Sequence, residues 1–137
     1  VDTNIIISYI DEADLNHEKA VKILDSIKEN KVTSQLTTLE LTAVFSRAKY
    51  EKPLSLAIYS LKKARVDIVE LDFNEVIKRA LKYSSSLSLR TLDLLHVIAA
   101  SLIKCEHILT FDREIITKSN VLKNILNIAV FQIHNKI

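Results

Sequence analysis

Apolar residues recur along this chain in two alternating rhythms. Where they fall three or four positions apart they predict helices, and where they run together between turn signals they predict strands. Val21, Ile23, Leu24 and Ile27 mark a helix over residues 16–30, with Asn16 placed to cap it. Leu41, Val44, Phe45 and Ala48 share one side of a helix over 37–50, and Pro53 opens another over 53–65 at a position where its missing N–H costs nothing. Residues 72–87 form a helix with Asp72 as N-cap and Glu75 three positions on, the spacing of a capping box. A helix over 90–105 is apolar almost all round, interrupted by Asp93 and His96, and His96 is expected to pack within it. "NIIISYI" (4–10) starts a helix directly after Val1, the stub of a first strand. The remaining strands are "KVTS" (31–34), "VDIVEL" (66–71), "HILTF" (107–111) and "NIAVFQI" (127–133), with a turn and short helix over 112–120.

Alternating strands and helices imply an α/β fold in which parallel strands are joined by helical crossovers. The expectation is one domain over residues 1–137, with a central, mostly parallel twisted sheet of four to five strands and helices on both faces. The near-continuous apolar character of the last two strands fits burial from both sides. Composition agrees: 137 residues, 48% apolar and 26% charged, are ordinary globular material with enough chain to bury a core. Apolar runs are too short to span a bilayer, and the one cysteine, Cys105, fits a reducing cytoplasm. No leader opens the chain, and the absence of Met suggests that it starts inside its first strand. The absence of Gly excludes glycine-rich phosphate loops and dinucleotide fingerprints.

Net charge is only +2, short of the footprint of a tight nucleic-acid binder. The distribution is uneven, however. Arg47, Lys49, Lys52, Lys62, Lys63 and Arg65 are opposed between positions 47 and 65 only by Glu51. They form either a solvated pair of helix faces or a surface for phosphates.

Four acids stand out by position. Asp2 follows the first strand, Glu40 and Asp93 fall in the first turns of their helices, and Asp112 ends "HILTF". In an open parallel sheet the strands' carboxyl ends and the next helices' amino ends share one edge, where ligands bind. Each acid also has a local explanation. Asp2 caps a helix, Glu40 completes a capping box with Thr37, Asp93 favours a helix dipole beside Thr91, and Asp112 opens a turn. Gathered together they would destabilise the fold, since two unit charges 4 Å apart repel by about 4 kcal/mol at an effective dielectric of 20. A hard divalent cation, Mg2+ or Mn2+, would resolve this, because it takes oxygen ligands and leaves sites for water and phosphate. No Cys/His set has zinc-like spacing and no strand–turn–helix nucleophile elbow is present. An acidic site on a mildly basic domain points to phosphodiester hydrolysis by a metal-activated water.

"VDTN" (1–4), "TTLEL" (37–41), "LRTLDLLHVIAA" (89–100) and "LTFDREI" (109–115) resemble, in order and spacing, the four acidic motifs of the PIN-domain ribonucleases. The compact length makes the chain most similar to the VapC toxins of toxin–antitoxin pairs. That resemblance implies a Mg2+- or Mn2+-dependent endoribonuclease in which Asp2, Asp93 and Asp112 bind metal. Glu40 would bind it through water or help activate the attacking water. Asn4 and Thr110 would brace those carboxylates, and Arg90 and Arg113 would either meet RNA phosphate or form surface ion pairs. It also implies a homodimer, inhibited by a small antitoxin that fills the active-site groove. The alternatives to weigh are a housekeeping RNA-processing nuclease and, as a second class, a non-catalytic PIN-like module acting mainly through partner binding, against which the intact acids at all four positions argue. Unrelated aspartate enzymes fit less well. A haloacid-dehalogenase-like phosphatase would need an acid where Asn4 stands, and a receiver domain would need paired acids where Asp2 is followed by Thr3.

Overall fold

The computed structural model describes residues 1–131. They form eight helices and four strands, gathered into two compact units, Val1–Val69 and a second beginning at Glu70.

In the first unit α1 (Thr3–Ile10) and α2 (His17–Ser26) lead into β1 (Lys31–Ser34), α3 (Gln35–Arg47), α4 (Pro53–Lys63) and β2 (Val66–Val69). The two strands pair in parallel, Lys31 opposite Val66 and Ser34 opposite Val69, so α3 and α4 together make the crossover. Ile5, Ile6, Leu24, Leu41, Ala57 and Leu61 are buried at 2% exposure or less and supply the apolar interior. Asn16 stands at the start of α2 but makes no side-chain cap, and the carboxylate of Asp14 accepts from its N–H instead. The helix ends at Ser26, four residues short of the predicted boundary.

In the second unit α5 (Phe73–Leu87) and α6 (Thr91–Ile103) precede β3 (His107–Leu109), α7 (Arg113–Thr117), α8 (Ser119–Leu126) and β4 (Ala129–Phe131). These strands also pair in parallel, His107 with Ala129 and Leu109 with Phe131. The core runs through Val76, Leu87, Val97, Ile98, Ile115, Leu122 and Ile128. α6 is less uniformly buried than its composition suggests, since Leu92 in its first turn is 50% exposed. α8 went unpredicted, and of the last predicted strand, residues 132 and 133 lie outside the described residues.

Among the described residues the hydrogen bonding defines two separate two-stranded sheets, not one sheet of four to five strands. The parallel helical crossovers are as expected. The strands are short, three or four residues each. The backbone of Val1 docks on β1: its nitrogen donates to the Val32 carbonyl (2.8 Å) and its carbonyl accepts from the Thr33 hydroxyl (3.0 Å).

A chain without glycine must still end its helices. Lys49, Arg65, Ser88, Lys104 and Asn127 take positive φ at helix ends, where glycine is the usual occupant. At the end of α3 the Lys49 N–H reaches the Ser46 carbonyl and the Tyr50 N–H reaches that of Phe45, the paired bonds of a Schellman motif. The ring of Tyr50 then stands edge-on to Phe45 at 5.7 Å, the apolar contact that accompanies such an ending.

Candidate metal centre

The first unit brings together two of the four predicted acids. Asp2 is the N-cap of α1: its Oδ1 accepts from the Thr3 N–H at 2.8 Å, and its Oδ2 is 3.4 Å from the Asn4 amide nitrogen. The local explanation for Asp2 therefore holds, and it leaves the residue only 9% exposed, held at a helix start that favours negative charge.

Glu40 does not serve as the partner in a capping box. The cap of α3 is Ser34, whose hydroxyl accepts from the Leu36 N–H at 3.2 Å, so Thr37 is already inside the helix and Glu40 lies in its second turn, not its first. Thr37 is fully buried and shares a 2.6 Å hydroxyl–hydroxyl bond with Thr33. Glu40 instead accepts, through Oε1, a 2.9 Å hydrogen bond from the hydroxyl of Thr3. Carboxylate oxygens of Asp2 and Glu40 lie within 4.8 Å of each other. Carboxylate oxygens are the hard donors that a small divalent cation takes. Sequence reasoning missed Thr3. The only signal was its place next to Asp2 in "VDTN", which says nothing of a contact with a residue 37 positions away.

The second unit carries the other two acids at helix starts. Asp93 is the third residue of α6, in the first turn as predicted; the N-cap position there belongs to Arg90, not Thr91, and Arg90 makes no side-chain cap. Asp112 caps α7, its Oδ1 accepting from the Glu114 N–H at 2.9 Å. Thr110 is 4% exposed, and its hydroxyl accepts from the Asp112 N–H at 3.0 Å, so the threonine braces the backbone that carries the acid. Arg90 pairs with Glu114 at 3.2 Å, tying the start of α6 to the first turn of α7. The arginine is 82% exposed, so the pair contributes at most about 1 kcal/mol and exchanges readily. Arg113 is exposed, and His96 is half-buried along α6.

The chain belongs to the PIN domain family, which matches residues 1–120, a span that includes all four acids. Among solved structures its fold is similar to that of a chain in the crystal structure of VapBC2 from Rickettsia felis bound to a DNA fragment from their promoter. The TM-score is 0.62 at 17% identity, over 95% of this chain and 94% of that one. No curated protein matches the sequence. No single helix among the described residues is long and apolar enough to cross a membrane.

Proposed function

We propose that this chain is a Mg2+- or Mn2+-dependent endoribonuclease and the toxin of a toxin–antitoxin pair. The observation that carries the proposal is the family match over a span containing Asp2, Glu40, Asp93 and Asp112. The closeness of the Asp2 and Glu40 carboxylates, and the likeness of the fold to VapBC2, support it. In this proposal residues 1–137 act as one nuclease domain, and Asp2, Asp93 and Asp112 hold the divalent ion. When bound, the ion supplies Lewis acidity toward phosphate and water. Glu40 binds it through water or orients the attacking water and accepts its proton. Asn4 and Thr110 fix Asp2 and Asp112, and Arg90 and Arg113 contact RNA phosphate, Arg90 exchanging its exposed partner Glu114 for the substrate. A small antitoxin is the inhibitory partner, the active form is a homodimer, and the place of action is the cytoplasm, where its RNA lies.

Attack by water predicts products without 2′,3′-cyclic phosphates. End analysis of RNA cleaved by the purified protein in Mn2+ tests this. Ends bearing only phosphate monoester and hydroxyl fit the proposal, and cyclic phosphate, the mark of attack by the RNA's own 2′-hydroxyl, contradicts it.

A further inference from the structure

Thr3 uses both of its donors on carboxylates. Its N–H donates to Asp2 Oδ1 at 2.8 Å and its hydroxyl donates to Glu40 Oε1 at 2.9 Å. An ionised carboxylate only accepts, so the direction of both bonds is fixed. The residue is 5% exposed, so water does not readily replace either bond. The two acids it joins come from different places in the chain, the cap of α1 and the second turn of α3, and their oxygens lie within 4.8 Å. Like charges at that distance repel, and a donor shared between them offsets part of the repulsion while fixing their spacing.

The backbone leading into Thr3 is itself pinned. Val1 is bonded to β1 through its backbone nitrogen and its carbonyl, and the Thr33 hydroxyl that meets that carbonyl is in turn bonded to Thr37 of α3. α3 therefore meets the chain start at two places: Thr37 through Thr33, and Glu40 through Thr3. Thr37 and Glu40 are three residues apart on one face of that helix. The first contact sets where the backbone of residues 1–3 lies, and the second sets where the Glu40 carboxylate points.

We infer that Thr3 is a positioning residue of the metal centre, clamping Asp2 and Glu40 in the spacing that a divalent cation requires. This rests on the metal-dependent reading above and adds a residue to it. Threonine is well suited to such a clamp. Its β-branched carbon restricts χ1, which limits the positions its hydroxyl donor can take.

The test is Mn2+ binding, read by electron paramagnetic resonance on the folded protein, with RNA cleavage measured in parallel. Thr3→Val keeps the shape and removes the donor. Orienting groups behind metal ligands are commonly worth 10- to 100-fold in affinity, so Thr3→Val is expected to weaken Mn2+ binding by about 10-fold or more. Thr3→Ser, which restores a hydroxyl, should bind within about three-fold of wild type. In a Glu40→Gln background Thr3→Val should cause little further loss, because the threonine acts through the glutamate. A contact that only ties α1 to α3 would lower the melting temperature without moving Mn2+ affinity. Wild-type affinity in Thr3→Val, equal losses with and without Glu40, or no Mn2+ binding by wild type would each overturn the inference. Should wild type bind Mn2+, and Thr3→Val weaken it, yet no RNA be cut, the clamp stands and the ribonuclease proposal falls.

Discussion

The cap formed by Asp2 and the metal binding proposed for it can be separated. It caps α1, and in the proposed function it binds metal. Asp2→Ala removes both, and loss of such a cap is worth about 1 kcal/mol. Asp2→Asn keeps a side-chain oxygen for the Thr3 N–H while discarding the charge. Urea unfolding in EDTA should therefore find Asp2→Ala destabilised by about 1 kcal/mol and Asp2→Asn by clearly less, whereas both lose Mn2+ binding. Equal destabilisation would show that the charge, not the acceptor, holds the helix start. Cys105 offers a pH test at the same scale. Burial raises its thiol pKa above the ordinary value. A group protonated more tightly in the folded state supports stability fully below its unfolded pKa, about 8.5, and that support is lost as pH climbs through the folded value. Thiol labelling at about pH 8, just below that unfolded pKa, should accordingly be slower in native protein than in urea-unfolded protein, and equal rates would contradict the shift.

At the scale of elements, helix ends are where this sequence departs most from common practice. Lysine or arginine in the left-handed region is strained by about 1–2 kcal/mol relative to the right-handed one, a strain that glycine avoids. Lys104, which closes α6, and Lys49, which follows the end of α3, are exposed, so replacement removes no core contact. Lys104→Gly and Lys49→Gly should each raise the melting temperature by roughly 3–5 °C, the equivalent of about 1 kcal/mol in a chain of this length. A fall in melting temperature would mean that the side chains contribute more than their backbone strain. Polar residues at helix starts also show why boundaries were only partly legible. "TSQLTTLE" offers Thr33, Ser34, Thr37 and Thr38 as caps of similar strength, with a decoy capping box between Thr37 and Glu40. Ser34 wins because β1 pairs as far as that residue, which is long-range information. β1 itself was readable to the residue, while α8 starts at Ser119 only two positions after α7 ends at Thr117, so no loop marks its beginning.

At the scale of the whole chain, the family was legible because its motifs follow one another in a fixed order along the sequence. Strand pairing was not, since it joins segments such as 31–34 and 66–69 whose register no local pattern encodes. The contact between Thr3 and Glu40 was hidden for the same reason. The proposed gathering of carboxylates has a global consequence. In that proposal their repulsion works against folding without a cation, and a ligand that binds only the folded state adds stability as its concentration exceeds Kd. Mn2+ at about 100 times Kd should add about 2.7 kcal/mol and raise the melting temperature, and excess EDTA should reverse it. No shift at millimolar Mn2+ would mean that the acids do not form a metal centre. The central claim, metal-dependent hydrolysis of RNA by these acids, is most directly tested by incubating a labelled structured RNA with purified wild type and Asp93→Asn, each with Mn2+ and with excess EDTA. Cleavage by wild type in Mn2+ alone, with Asp93→Asn folded and inactive, is the predicted result; full activity in the variant or in EDTA would contradict it.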